Sequence, residues 1–291
     1  MKITLRQLEV FAAVASHGHV TRAAEAVALT QSAASMALAD LERQLSVQLF
    51  DRVGRQLLLN EAGRQLLPRA QQVLDQVREI EAGAAGSAAF DLHLGASLTI
   101  GNHLLPPLVA ELQRRHPQGR VRLSLHNTEQ VRADLLAFRI DLGFVEGPVQ
   151  EPRLRRFSWR PDRLQVFAAA GHPLAGGTAT PADLAGAGWV LRERGSGTRE
   201  VFDRALANAT LTPRVALELE QPEAIRQCVR AGLGLGCLSR LELEDAFQAG
   251  WLAPVAAPFL NLERDLQVLV HADRHLSPGL LAVLALCGIE I

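Results

Sequence analysis

The stretch VTRAAEAVALTQSAASMALADLERQLSVQLFDR, residues 20–52, reads as two short helices meeting at a sharp angle and closed by a strand. Thr21 is a good N-cap, and Ala23, Ala24, Ala26 and Val27 form a small apolar face that lets a second helix come close. Ala28-Leu29-Thr30 is the turn. Thr30 can cap a helix from Gln31 to about residue 44, along which Ala33, Ala34, Ala37, Leu38, Leu41 and Leu45 recur at three- and four-residue spacings. Off that stripe, at the helix start, lie Gln31, Ser32, Ser35 and Met36. A small-residue corner leading into a helix with a polar first turn suits a helix-turn-helix, whose second helix enters the DNA major groove. An alanine-rich helical hairpin in a structural core satisfies the same periodicity.

Two short β-prone runs, 47–50 and 56–59, favour the DNA-binding reading. They flank Asp51-Arg52-Val53-Gly54-Arg55, a hairpin with basic residues at its tip, and a helix-turn-helix followed by a basic wing is a specific combination. The run LRQLEVFAAVASHGHVTRAAEAVALTQSAASMALADLERQL, continued by Leu49-Phe50-Asp51-Arg52 and Asn60-Glu61-Ala62-Gly63, resembles the N-terminal domain of the LysR-type transcriptional regulators. The DNA-facing set is then Thr30, Gln31, Ser32, Ser35 and Met36, with Arg52 and Arg55 on the wing. Many members of that family carry Pro and a basic residue where this chain has Ser32 and Met36, so base preference does not carry over from relatives.

At 291 residues, 48% of them apolar and 21% charged, the chain has room for two or three globular domains. Its first residues, MKITLRQLEVF, hold no apolar signal region, and no run reaches the roughly 18 apolar residues of a membrane span, so a cytoplasmic protein is expected. Cys228, Cys237 and Cys287 lie far apart and outside any metal-ligand spacing, which predicts reduced thiols without zinc or a disulfide framework. His17 and His19 lack a third partner in sequence and read as solvated residues at a helix end. The formal net charge is −1, and residues 1–70 hold eight basic against six acidic residues, a net of +2. So weak an electrostatic footprint argues mildly against a nucleic-acid partner unless a dimer concentrates cations on one face. The motif outweighs it.

Leu5, Leu8, Phe11, Ala12 and Ala15 mark a first helix that ends at Gly18. Asn60 caps a long later helix, bent by Pro68, on which Leu66, Ala70, Val73, Val77, Ile80 and Ala84 form a narrow coiled-coil seam. Packing on its own domain is the other reading of that seam; in the family it resembles, this helix pairs antiparallel with its partner's. Gly83-Ala84-Ala85-Gly86-Ser87 is a flexible boundary. The expected domains are therefore 1–60 for the winged helix-turn-helix, 61–87 for linker and hinge, and 88–291 beyond.

After the boundary, strands alternate with helices in two tandem units, the signature of parallel α/β sheets. Strands are expected at 90–95, 120–126 and 141–145, then at 164–169, 188–191, 214–220, 233–238 and 264–271. The fold class is thus α/β with an N-terminal winged helix-turn-helix. Two α/β subdomains, about 88–160 with 265–291 and about 161–264, cross near 158–163 and 261–265. The resemblance implies the same arrangement, like a periplasmic solute-binding protein.

In such units a ligand sits beyond the strand ends, beside helix N-termini. Gly95-Ala96-Ser97-Leu98-Thr99 offers two hydroxyls, and Gly195-Ser196-Gly197-Thr198-Arg199 adds hydroxyls, tight turns and an arginine, together an anion site. Simple N-capping explains Ser97 or Thr99 equally well. Matching loops line the effector cleft in the family, where Asn127, Glu146 and Gln221 would join Ser97, Thr99, Ser196, Thr198 and Arg199. Relatives that sense sulfur oxyanions or carboxylates point to a small anionic effector, with no other cofactor. Glu146 opposes an anion unless it turns away or pairs with an arginine. No nucleophile elbow, Walker motif or dinucleotide fingerprint is present.

The function expected is a transcriptional regulator, not an enzyme. Its partners would be double-stranded operator DNA, itself as homodimer or homotetramer, and a small effector, with RNA polymerase a further candidate. The rivals are a solute-binding transport component, which leaves residues 1–60 idle, and a cytosolic enzyme of small anions.

Overall fold

Thr4 opens the first helix with a reciprocal cap: its hydroxyl accepts from the Gln7 N–H while the Gln7 side chain accepts from the Thr4 N–H. The computed structural model describes residues 2–54, 56–84 and 90–291, the side chains of 79 and 82–84 excepted. Arg55 and part of the expected hinge at 83–87 lie outside that description. The head comprises α1 (Leu5–His17), α2 (Val20–Ala26), α3 (Gln31–Leu45), the hairpin β1 (Phe50–Val53) and β2 (Gln56–Leu59), then α4 (Glu61–Ala84). The corner between α2 and α3 turns on Ala28, held at φ +52°. Thr21 falls inside α2, whose N-cap position is His19, two residues before the expected cap.

Val10, Phe11, Val14, Ala23, Ala34 and Leu41 are fully buried between the three helices, and Phe11 meets Phe50 of the wing edge-on at 5.6 Å. Buried Leu67, Ala70 and Leu74 bring α4 into this same core. That corrects the expected seam: Ala70 is buried in and Leu66 packs against the core of their own domain, while Val73 and Ile80 stay exposed and Val77 half-buried. The helix thus has two apolar stripes, one inward and one outward. It runs unbroken through Pro68.

The remaining elements are β3 (Asp91–Ser97), α5 (Leu98–His103), α6 (Leu105–Arg115), β4 (Arg120–His126), α7 (Thr128–Leu136), β5 (Leu142–Glu146), β6 (Leu154–Ala169), α8 (Pro181–Gly186), β7 (Gly188–Arg192), α9 (Gly197–Asn208), β8 (Arg214–Leu219), α10 (Pro222–Arg230), β9 (Leu235–Ser239), a 3-10 turn (Arg240–Glu242), α11 (Glu244–Gln248), β10 (Leu252–Val255), β11 (Glu263–His271) and α12 (Pro278–Leu286). Strands run in the order β4-β3-β5-β11-β6-β9-β7-β8, with β10 also on β6. The outer sets, β4-β3-β5 and β8-β7-β9, are parallel; β6 and β11 are antiparallel to their neighbours. Each half buries apolar clusters beneath its helices, one around Leu94, Phe144 and Val268, another around Val166, Trp189 and Phe202.

β6 starts at Leu154, ten residues before the strand expected from sequence. Its first part pairs with β11 in one subdomain, and its second pairs with β9 and β10 in the other. Among the described residues no helix is long and apolar enough to cross a membrane.

Candidate functional site

Two surfaces carry candidate residues. At the head, Thr30 caps α3, accepting from the Ala33 N–H at 3.2 Å and lying 3.1 Å from the Ser32 hydroxyl. Gln31, Ser32 and Met36 are exposed on the outer face of the helix, Ser35 is half-buried, and Arg52 is exposed on the wing. The wing turns at Gly54, φ +61°, and is tied to the end of α1 by the Leu57 N–H to Gly18 carbonyl bond, 2.8 Å. The polar first turn of α3 and Arg52 of the hairpin are thus both open to solvent.

In the cleft the two hydroxyl loops do come together, and they converge on Glu146. The Thr99 N–H donates to Glu146 Oε1 at 3.1 Å, while the Thr198 hydroxyl donates to Oε2 at 2.8 Å. Arg264 Nη1 donates to the same Oε2 at 2.9 Å and to Thr198 Oγ1 at 2.9 Å. Both side chains of the pair are only 1% exposed. Burial alone would raise the Glu146 pKa, but Arg264, Arg192 and the Thr198 hydroxyl outweigh it and hold the carboxyl at about 2. Ser97 Oγ lies near enough to steady that charge yet is buried without a hydrogen bond. Arg264 Nε in turn holds Asp162 at 2.6 Å, and Asp162 accepts from Ser239 at 2.7 Å.

The subdomains touch at this point through backbone. The Glu129 N–H donates to the Gly195 carbonyl at 3.1 Å, and beside it, within the first subdomain, the Thr128 hydroxyl donates to the Glu146 carbonyl at 3.2 Å. A Cβ on Gly197 would stand 1.9 Å from the Glu146 carbonyl oxygen, so only glycine permits this approach.

Several expected residues play other parts. Arg199 is a correction: its guanidinium turns away from Glu146 and bonds Asp203 at 2.8 Å, Glu218 at 3.0 Å and the Arg192 carbonyl at 2.9 Å, all within its own subdomain. Asn127 caps α7 through the Gln130 N–H. Gln221 is exposed at the N-cap of α10. Ser97 and Ser196 are buried N-cap residues without side-chain capping bonds, so capping does not account for either. Arg264, Thr128 and Asp162 escaped the sequence reading. The expected crossings at 158–163 and 261–265 pointed near Asp162 and Arg264, and nothing pointed to Thr128.

Cavities of about 270 and 600 Å³ flank the crossing of β6 and β11, with Arg264 lining both and Glu146 neither. Among the described residues no cluster of His, Cys, Asp and Glu is arranged to hold a metal ion. Cys228, Cys237 and Cys287 are free thiols. Burial pushes the Cys237 thiol up, and that of Cys287 up to about 12, so neither is a thiolate near neutral pH.

Comparison with known proteins bears on both surfaces. Residues 5–64 match the family described as bacterial regulatory helix-turn-helix protein, lysR family, and residues 85–289 match the LysR substrate binding domain. The chain is 48% identical to the HTH-type transcriptional regulator YeiE of Escherichia coli over 99% of its own length and 98% of that protein's. A full-length OxyR variant from Pseudomonas aeruginosa superposes with a TM-score of 0.76 at 25% identity, covering 99% of this chain and 94% of that one. The regulatory domain of Synechocystis CcmR, solved in complex with 2-PG, gives 0.63 at 28% identity over 68% of this chain and 95% of that one.

Proposed function

The chain belongs to the LysR family of bacterial transcriptional regulators, and from that premise we propose that a small anion bound between its two subdomains modulates binding of its winged helix-turn-helix to operator DNA. The observation that carries this reading is the buried Glu146 carboxylate. It takes donors from Thr99, Thr198 and Arg264, the groups an oxyanion would use. An internal carboxylate thus holds the place of an effector's charge. An incoming sulfur oxyanion or small carboxylate would displace it and use the Ser97 hydroxyl and the Arg264 Nη2, both of which now lack hydrogen bonds. That the related CcmR domain was solved with 2-PG supports a small ligand of this kind.

Gln31, Ser32, Ser35 and Met36 would meet base edges, and Thr30, Arg52 and Arg55 would fix the head on phosphates. The outward stripe Val73, Val77 and Ile80 would pair with a second copy, giving a homodimer or homotetramer that acts in the cytoplasm, with RNA polymerase a candidate partner. Sedimentation of a chain carrying Val73→Asp with Val77→Asp tests the pairing: a smaller species is expected, and an unchanged oligomer refutes this interface.

Calorimetric titration of sulfite, sulfate, phosphate and small carboxylates tests the cleft. At least one should bind wild type. Thr198→Ala should weaken it by about tenfold, the loss of one charge-assisted hydrogen bond. Glu146→Gln should strengthen it by a similar factor, because the competing charge is gone. No binding to wild type, or equal affinity in all three chains, sinks the assignment.

A further inference from the structure

Two elements join the cleft to the linker helix. α7 begins at Thr128, which holds the Glu146 carbonyl, and ends just before Phe138. β11 begins beside Arg264 and ends at His271, three residues before Arg274. Their far ends meet the head and its linker helix. The half-buried Phe138 packs against the apolar core of the head, although it belongs to the other part of the chain. It sits at φ +55°, an uncommon conformation for a bulky residue and a mark of local strain. Its ring lies 4.3 Å from that of His271, and the Arg274 guanidinium stands over it at 5.7 Å.

Arg274 bonds Asp141 on its own domain and faces Asp75 of α4, Nε to Oδ2, at 3.4 Å. Asp75 is 7% exposed and accepts from Gln71 at 3.0 Å and from Arg78 at 2.9 Å. The pairing across the domains is incomplete: Asp75 Oδ2 and Arg274 Nε and Nη1 make no hydrogen bond. Burial pushes the Asp75 carboxyl above its ordinary range even with Arg274 pulling it down. Buried pairs of this quality add little net stability, yet they are costly to leave half-made and so fix position.

We propose that Asp75, Phe138, Asp141 and Arg274 form a clasp through which α7 and β11 carry the state of the cleft to the linker helix, and so to the heads. The inference rests on the effector reading above and assigns its route. A ligand that displaces the Glu146 carboxylate frees Arg264 at the start of β11 and loosens the residue whose backbone carbonyl Thr128 holds at the start of α7. Neither can shift without moving Phe138 against the head core or Arg274 against α4.

The full-length chain carries the test, with Asp75→Asn keeping shape without charge and Arg274→Gln removing the cation. Three quantities are read: affinity for whichever of sulfite, sulfate, phosphate or small carboxylates binds wild type, affinity for DNA selected with the wild-type chain with and without that anion, and amide exchange across α4. Both variants should bind the anion within about twofold of wild type and exchange faster along α4. The anion's effect on DNA affinity, about fivefold or more for ordinary allosteric coupling, should fall to near one. Coupling kept at the wild-type factor in Asp75→Asn, which is the milder change should Arg274→Gln fail to fold, overturns the clasp. If no anion binds wild type, the effector reading fails and the clasp is judged on the remaining two quantities. Unchanged α4 exchange with unchanged DNA affinity then overturns it.

Discussion

At the start of α3, Thr30, Gln31 and Ser32 stand in solvent, while at the starts of α5 and α9 the residues Ser97, Thr99, Ser196 and Thr198 are all buried. The side chains are chemically alike, and both places present hydroxyls and free N–H groups at the positive end of a helix. Their states are opposite. The head keeps its donors open for charge that arrives from outside, and the cleft has already turned its donors on a carboxylate of its own. A surface that must meet a polymer needs no internal partner, because water satisfies it meanwhile. A pocket between two closed subdomains has no such solvent, so its polar groups need a partner before any ligand comes.

The largest expected effect tests the buried half of that contrast. Arg264→Ala leaves Glu146 and Asp162 buried with the same cation missing, and unpaired buried charges of this kind cost about 3–5 kcal/mol. Denaturant unfolding should show that loss, and adding Glu146→Ala should recover part of it. A cost below about 1 kcal/mol would mean that water reaches the pair and that the cleft is no more closed than the head.

The exposed half is tested next. Gln31→Ala should leave stability nearly unchanged and reduce discrimination at particular base pairs by about 1–3 kcal/mol. Arg52→Ala should weaken all sequences alike and flatten the salt dependence by about one phosphate contact. Binding measured across a set of single-base variants and salt concentrations separates the two. Uniform loss for Gln31→Ala would move that residue from reading to positioning.

The smallest effect concerns a second bridge across the cleft. His103 at the end of α5 lies 2.9 Å from the buried carboxylate of Glu242 in the 3-10 turn of the other subdomain. The hydrogen bond to Glu242 raises the His103 pKa above 6.5, against burial. Its contribution to stability is therefore fully present below about pH 6.5 and lost as pH rises through the raised value. Wild type should lose a little stability over that window relative to His103→Gln. Parallel pH profiles for the two chains would show that the bridge is not linked to protons.

How far the sequence could be read follows the same contrast. The head was legible because its signals are local: a capped helix, a small-residue corner at Ala28 and a basic hairpin lie within residues 20–59. The strand ends in the cleft were also legible, since Ser97 and Thr198 each sit between a strand and a helix. So was Glu146, but the arginine it pairs with was not, because Arg264 reaches it across 118 residues and nothing local marks the pair. Arg199 misled for a related reason. Its place in the first turn of α9 suggested a ligand, but Glu218 on the neighbouring strand captures it. The first half of β6 was missed because Arg155, Arg156, Arg160 and Arg163 mask its alternation with charges tolerated on a strand that bridges two halves. Ala70 was placed on the wrong stripe because α4 carries two.

The crossing of β6 and β11 also has a consequence for how the molecule is made. Subdomain I cannot complete its core from its own leading segment, since Leu266, Val268, Val270, Leu280, Val283 and Leu284 supply one wall of it. During synthesis the head, whose core runs from Leu8 to Leu74 with Phe138 as a late addition, can assemble soon after it emerges. The cleft must wait for residues beyond 263, and its closing pair spans one of the longest separations in the fold, so loop-closure entropy delays it further. For the interval between, a nascent chain presents a folded DNA-binding unit with no means of regulating it.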